Sequence, residues 1–241
     1  MDNISSNPVQ AGPMSHFLTR TQFETELDSL RNSMLEMGAV ADRMVASAVD
    51  ALGSADLTLA ERVILDDDAV DDLDLQIETD CMRLIALQQP MAKDLRLIGT
   101  ALKAITDLAR LGDHAVDIAK VARKFSRTGF SRALVDIPRL SDTARAMLRH
   151  ALEAFVRHDL ELVDKVVAGD DEVDALFHEY RDDLHTAMKA DPNVVVEASY
   201  LLFVCHYIER IADHAVNIAE RVHYVETGEL SQLARSHRSQ G

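Results

Sequence analysis

Residues 55–73, ADLTLAERVILDDDAVDDL, closely resemble residues 158–176, HDLELVDKVVAGDDEVDAL. At a constant offset of 103 residues, nine positions are identical: Asp56, Leu57, Leu59, Val63, Asp67, Asp68, Val70, Asp71 and Leu73 recur at 159, 160, 162, 166, 170, 171, 173, 174 and 176. A second pair, DHAVDIA from Asp113 and DHAVNIA from Asp213, recurs at an offset of 100 residues. Matches this long at nearly constant spacing indicate an internal duplication.

Both copies have the apolar period of an α-helix. Apolar or small residues spaced three and four apart form two stripes, one of Val63, Val70, Ile77 and Leu84, and one of Leu95, Ile98, Leu102, Ile105, Ala109, Gly112, Val116 and Ala119. The chain of 241 residues contains 9 Gly, 5 Pro and no Trp, which favours long helices over an all-β fold. We expect six helices near 17–53, 57–88, 91–125, 139–157, 160–189 and 193–227.

Helix ends are predicted by caps and prolines. Asp56 and Asp159 are natural N-caps, since a short carboxylate accepts hydrogen bonds from the free N–H groups of the first turn. Pro90 and Pro192 lie where the second and fifth helices must stop, because proline lacks the N–H that a continuing helix needs. The chain is therefore three helices written twice.

The predicted fold is all-α, with two tandem three-helix bundles related by the duplication, because short loops force neighbouring helices to run antiparallel. The first bundle is predicted at 17–125 and the second at 139–227, joined by a linker at 126–138. Residues 1–16 and 228–241 are predicted to be flexible tails. The alternative is a single elongated six-helix domain.

Composition narrows the function. With 25 Lys and Arg against 41 Asp and Glu, the net charge is −16, so the protein is not expected to bind nucleic acid. Nowhere does an apolar run reach the roughly 18 residues that a membrane span requires, and the first residues do not resemble a signal peptide. Cys81 and Cys205 show no CxxC spacing and are predicted to be core residues in a reducing compartment.

Acidic residues spaced four apart mark one face of several helices. The pairs are Asp67 and Asp71, then Asp113 and Asp117 in the first half, and Asp170 and Asp174, then Glu209 and Asp213 in the second; Asp74 and Glu78 extend the first stripe. Like charges at this spacing repel, so repeating them in both halves is costly unless a cation lies between them. We expect these eight paired residues to bind metal ions, the second-half set more strongly. Oxygen ligands suit hard cations better than structural zinc, and Mg, Mn, Fe or Zn stay open as the ion.

Neighbouring charged residues have simpler interpretations. His114 and His214 directly follow the key aspartates, but one residue is about 100° of helix rotation, so they are expected to be polar groups between helices rather than ligands. Arg110 and Arg210 are expected to form salt bridges with the acidic stripes. The phosphate-binding motif GxxxxGK[ST], the serine-nucleophile motif GxSxG and the zinc-binding motif HExxH are all absent from the sequence. No catalytic residues are predicted.

The residues resemble the PhoU family, the regulatory partners of the high-affinity phosphate transporter. The likeness lies in residues 88–120 (QQPMAKDLRLIGTALKAITDLARLGDHAVDIAK), in 23–44 (FETELDSLRNSMLEMGAVADRM) and in 207–220 (YIERIADHAVNIAE), and covers about 17–227. The resemblance implies two repeated three-helix bundles, a cytoplasmic location, frequent dimerisation, and metal clusters on E/DxxxD motifs in some members. It also implies binding to the transporter ATPase and to a membrane sensor histidine kinase, with contact to the membrane only through those partners.

One departure from the family pattern concerns the first half. Where the family usually has E-R-I-G-D, this chain has Ala109 before Arg110, Leu111, Gly112 and Asp113. The acidic pair has moved one turn along, to 113 and 117, while the second half keeps Glu209 and Asp213. The first metal site is therefore expected to be shifted or weaker.

The sequence leaves three functions open. The leading one is a non-enzymatic adaptor in phosphate uptake and phosphate-starvation signalling. An all-helical, metal-dependent nucleotide pyrophosphohydrolase also arrays carboxylates on helices, but it needs cations beside the metals, which the helix-two stripe largely lacks. The third is a passive helical scaffold whose acidic residues are only solvated.

Overall fold

The computed structural model describes residues 13–128 and 134–234. These residues form helices α1 (Pro13–Ser54), α2 (Leu57–Gln88), α3 (Ala92–Thr128), α4 (Ile137–Arg157), α5 (Leu160–Ala190) and α6 (Val195–Thr227), with a short 3₁₀ turn at Pro192–Val194. No strand occurs within these ranges. The all-α prediction is confirmed, and α1 and α3 extend beyond the ranges predicted for them.

The predicted helix starts are confirmed by their caps. Asp56 accepts a hydrogen bond from Leu59 N at 3.0 Å, and Asp159 accepts one from Glu161 N at 2.9 Å. The residues just before these caps, Ala55 and His158, both have left-handed backbone conformations, with φ of 52° and 59°. The duplication therefore extends to the backbone of the turn that separates the first two helices of each half.

The helix ends refine the predicted boundaries. α1 begins at Pro13, inside the stretch 1–16 that was predicted to be a tail, and α3 continues to Thr128, inside the predicted linker. After α6, Leu233 N donates to Glu220 Oε1 at 2.6 Å and Ala234 is fully buried, so this part of the predicted 228–241 tail packs against the helices. Residues 1–12, 129–133 and 235–241 lie outside the described part of the chain.

The helices pack as two equivalent bundles. Within the first, α1, α2 and α3 each contact the other two, and within the second α4, α5 and α6 do the same. The halves meet through α3 with α6 and α1 with α4, which are the pairs that the duplication makes equivalent. This layout matches the tandem bundles predicted from the repeat.

The predicted stripe on α3 is buried at Ile98, Ile105, Gly112, Val116 and Ala119, and an adjacent stripe is buried with it. The adjacent stripe of buried residues consists of Leu97, Ala101, Ala104, Leu108, Leu111, Ala115, Ile118, Ala122 and Phe125. From Ala101 onward, the residue 100 positions later, on α6, is also buried in every case. Leu95, the first residue of the predicted stripe, is 45% exposed. Two adjacent stripes of α3 are apolar because this helix packs against α1, α2 and α6, and periodicity alone does not identify the central one.

The expectation that both cysteines are core residues is confirmed. Cys81 and Cys205 are free, buried thiols, and burial raises the pKa of each to about 12. None of the helices in residues 13–128 and 134–234 carries an apolar stretch of the length that a membrane crossing needs.

Candidate functional site

The second half gathers its predicted acidic residues between α5 and α6. Asp170 is almost fully buried on α5, at 2% exposure. Burial raises the pKa of Glu209 on α6 to about 7, and the nearby charges of Asp213, Asp174 and Asp170 contribute to the same rise. Asp170, Asp174 and Asp213 are therefore close enough to Glu209 for their charges to repel it.

Glu209 is the least satisfied of the four. Its Oε2 atom is buried and has no hydrogen-bond partner among the described residues. His206 Nδ1 lies 3.2 Å from this oxygen, within ion-pair distance, but the angles do not make a hydrogen bond. A buried carboxylate oxygen without a donor is destabilising, and a cation would relieve both its isolation and the repulsion.

Arg210 partly neutralises the cluster. It binds Asp213 at 2.7 Å, and Asp213 is only 14% exposed. In the first half, Arg110 binds Asp113 at 3.0 Å, but there the aspartate is 51% exposed. The prediction that both arginines form salt bridges with the acidic stripes is confirmed, and the second-half pair is the more protected.

The first half brings together only part of its predicted set. Burial raises the pKa of Asp67, followed by the charges of Asp113 and Asp71, while Lys120 opposes the rise. Asp67 also lies against Gly112, where a Cβ atom would stand 2.9 Å from Oδ1. Asp117 instead binds Lys120 at 2.9 Å.

The two histidines meet between the bundles. The rings of His114 and His214 lie 5.7 Å apart, centroid to centroid, and His114 stacks on Tyr207 of α6. His214 Nδ1 donates to Asp107 Oδ1 at 2.9 Å, and Asn217 Nδ2 donates to the same oxygen at 3.0 Å. Both histidines are therefore polar groups between helices, as expected, and sequence reasoning missed their partners Asp107 and Tyr207.

Pairs across this interface follow the duplication. Asp107 faces His214 and Tyr207 faces His114, so each contact is the equivalent of the other at an offset of 100 residues. The repeat alone could have suggested the pairing, because equivalent helices of a duplicated chain meet across a pseudo-twofold axis. The different residues at 107 and 207 could not be interpreted without that geometry.

The acidic clusters do not form a ready-made metal site. Across residues 13–128 and 134–234, no group of three or more His, Cys, Asp and Glu side chains is arranged to hold a metal ion. The carboxylate donors and their mutual repulsion suit a hard cation, but Asp113, Asp117 and Asp213 each form an ion pair, with Arg110, Lys120 and Arg210.

Comparison with known proteins identifies the family. The family model described as the PhoU domain matches residues 34–122 and again residues 137–222, one match in each bundle. The chain belongs to the PhoU domain family. The two matches also agree with the duplication deduced from the repeated sequence.

Relatives in the PhoU family are similar over nearly their whole length. A "phosphate-specific transport system accessory protein PhoU homolog" of Clostridium acetobutylicum is 38% identical over 90% of this chain and 99% of that protein. The homolog of Pseudomonas aeruginosa is 35% identical, with 91% of each chain covered.

Two crystal structures of PhoU proteins have the same fold. The one from Pseudomonas aeruginosa has a TM-score of 0.81 and 36% identity, over 86% of this chain and 100% of that one. The "phosphate transport system regulatory protein PhoU" of Streptococcus pneumoniae has a TM-score of 0.79 and 30% identity, over 88% and 100%. The match to this chain therefore spans the whole of both solved chains.

Proposed function

We propose that this chain is a regulator of phosphate uptake and of phosphate-starvation signalling. It acts as an adaptor between a phosphate ABC transporter and a sensor histidine kinase. The observation that carries this proposal is the match over 90% of this chain and 99% of a relative that is named an accessory protein of phosphate-specific transport. The shared fold and both PhoU domains support a role of the same kind.

The proposed partners are the ATPase of the transporter and the cytoplasmic part of the kinase, and the proposed location is the cytoplasm. A net charge of −16 favours association with basic protein surfaces. Self-association as a homodimer is part of the proposal, and its mass in solution, measured by light scattering, tests it. The membrane is reached only through the partners.

The action proposed is non-enzymatic. Most charged groups at the acidic clusters are carboxylates, and the nearby cations Arg110, Lys120 and Arg210 are engaged in ion pairs. A metal-dependent phosphohydrolase needs free cations beside its metals to hold phosphate groups. Incubation with nucleoside triphosphates and Mg²⁺ is therefore expected to give no turnover, and rapid product formation would favour the pyrophosphohydrolase alternative.

We also propose that the acidic clusters bind a hard cation. Asp170, Asp174, Glu209 and Asp213 would hold it in the second half, and Asp67, Asp71, Asp113 and Asp117 would form a weaker counterpart. The buried oxygen Oε2 of Glu209, which has no hydrogen-bond donor among the described residues, supports the stronger site. The cation would screen the repulsion between α5 and α6, so its role would be to stabilise the bundle and hold its surface in one conformation.

A binding experiment tests the adaptor role. The purified chain, immobilised through an affinity tag, is incubated with the transporter ATPase and with the kinase cytoplasmic domain of the same cells. We expect both to be retained, and an unrelated protein of similar negative charge serves as the control for non-specific adsorption. Deleting the gene should raise phosphate uptake in phosphate-rich medium; unchanged uptake together with no retention of either partner would contradict the proposal.

A further inference from the structure

A polar cavity of about 560 Å³, lined by none of the eight predicted metal-binding residues, lies between α3, α6 and the segment that follows α6. Its walls include Lys103 and Asp107 of α3, Asn217, Glu220 and Arg221 of α6, and Ser231 of the returning segment. The bond from Leu233 N to Glu220 Oε1 holds that segment in place. The cavity therefore has three defined walls and a volume suited to a small molecule.

Two cations, Lys103 and Arg221, line this cavity together with the carboxylates of Asp107 and Glu220. Within the part of the chain that the structure describes, the side chains of Lys103 and Arg221 take part in no ion pair or hydrogen bond, although Arg221 is half-buried. Two other half-buried arginines of this chain, Arg31 and Arg145, form ion pairs. A half-buried guanidinium without an anion is unfavourable, which points to an anionic ligand.

The acids in the cavity are already oriented. Asp107 accepts two hydrogen bonds through Oδ1, from His214 and from Asn217, and an ionised carboxylate accepts only, so Nδ1 of His214 carries the proton. The second oxygen of Asp107 is left for a further donor. A sugar hydroxyl donates readily to a fixed carboxylate, whereas the carboxylates of Asp107 and Glu220 oppose an anion that brings negative charge alone into the cavity.

We propose that this cavity binds a phosphorylated, hydroxyl-bearing small molecule of the ribose phosphate class, which includes nucleoside monophosphates. Lys103 and Arg221 bind the phosphate group, and Asp107 accepts a hydrogen bond from a sugar hydroxyl. Ser231 adds a hydroxyl donor from the third wall. This pairing of two cations with one oriented acceptor accounts for the mixed charge of the cavity, which a bare anion site does not.

The duplication supplies a built-in comparison. At the offset of 100 residues, Lys103 corresponds to Phe203 and Arg221 to Val121, while Asp107 corresponds to Tyr207. Phe203 is 55% exposed. The equivalent positions in the other half thus lack both cations and the carboxylate, although the core stripes of α3 and α6 are repeated position by position. The proposed site is therefore a feature of one half only.

Calorimetric titration of the full chain tests the proposal without any partner protein, so its result is independent of the adaptor role. The probes are AMP, ribose 5-phosphate, inorganic phosphate and adenosine, all in EDTA so that no metal ion mediates binding. We expect AMP and ribose 5-phosphate to bind, and inorganic phosphate and adenosine to bind at least about tenfold more weakly, because each lacks one of the two recognised groups.

The variants Arg221→Gln and Lys103→Gln should each weaken AMP binding by about tenfold. Lys165→Gln, at an exposed position on α5, removes the same charge elsewhere and should leave binding unchanged. An unchanged melting temperature verifies that each variant is folded. The proposal is overturned by no AMP binding at millimolar concentration, by equal affinity for inorganic phosphate, or by an Arg221→Gln variant that binds AMP as the parent does.

Discussion

At the scale of single residues, the two halves have diverged in how strongly they enclose charge. Asp213 is 14% exposed and has Glu209 one turn before it, whereas Asp113 is 51% exposed and has Ala109 in that place. Burial strengthens electrostatic interactions, because less water screens them. We therefore expect the same motif to bind a cation more strongly in the second bundle than in the first.

The first prediction concerns the metal. Changing Asp213 to Asn should remove most of the metal that the second half binds, because it deletes a buried anionic ligand, while Asp113→Asn should remove less. Metal content is measured by mass spectrometry after reconstitution with Mn²⁺, Fe²⁺ and Mg²⁺. Equal metal retention by Asp213→Asn and the parent, or no metal in any preparation, would show that the stripes are only a solvated surface.

A second residue-scale prediction concerns His114. Burial lowers its pKa to about 4, and His214 and Arg210 contribute, although Asp117 and Asp113 oppose the change. An unfolded histidine titrates near 6.5. Between these values the unfolded chain binds a proton that the folded chain does not, so the free energy of unfolding falls as pH decreases from about 6.5 towards 4.

The variant His114→Gln removes this titration. The free energy of unfolding, measured by denaturation across this pH range, should fall less steeply with decreasing pH than in the parent. The difference in slope should correspond to the uptake of up to about one proton per molecule on unfolding. His185→Gln, at an exposed position on α5, is the matched control and should keep the parent slope. Identical slopes for the parent and His114→Gln would mean that His114 is not held neutral in the folded protein.

At the scale of helices, close approach between α1 and α4 depends on a missing side chain. A Cβ atom at Gly38 would stand 2.1 Å from Cδ1 and 3.2 Å from Cγ of Leu152, which is itself 5% exposed. Leu152 therefore fills the space that any larger residue at position 38 would need. This contact lies at one of the two places where the bundles meet.

The third prediction follows from this contact. Gly38→Ala should lower the free energy of unfolding by about 1–3 kcal/mol, because the added methyl group forces Leu152 or the helices to move. Gly99→Ala is the control: it lies inside α3 with nothing within 4 Å of the added atom, so it should stabilise by up to about 1 kcal/mol through higher helix propensity. Chemical denaturation of both variants measures the difference, and equal effects would show that the bundles adjust freely at position 38.

Helix existence, caps and pairing could be predicted from sequence, because they depend on local patterns and on the repeat. The central stripe of α3 could not, since Leu95 and Leu97 fit helical periods equally well and only packing against three helices decides between them. Asp117 was assigned to the first acidic cluster because it is four residues from Asp113. The spacing alone could not predict the ion pair between Asp117 and Lys120, whose atoms lie 2.9 Å apart in the structure.

At the scale of the whole molecule, the negative charge is concentrated on two equivalent helices. α2 has nine acidic and two basic residues, a net charge of −7, and α5 has nine acidic and three basic residues, a net charge of −6. Each of these helices packs against the two others of its own bundle and keeps an outer face. Most of the total of −16 is thus presented on two faces that the duplication relates.

The last prediction is that a partner with a basic surface binds these faces. Screening shortens the range of the interaction from roughly 14 Å at 50 mM salt to about 4 Å at 500 mM, so affinity for the transporter ATPase should fall by about tenfold over that range. The double variant Asp68→Asn/Asp72→Asn removes two exposed charges from α2 and should flatten this salt dependence. Glu36→Gln/Asp50→Asn removes the same charge from exposed positions on α1 and should change it less. Calorimetric titration at several salt concentrations distinguishes binding through α2 from a general effect of net charge, because a general effect would make both variants behave alike. A dissociation constant that does not depend on salt would show that the interface is not electrostatic.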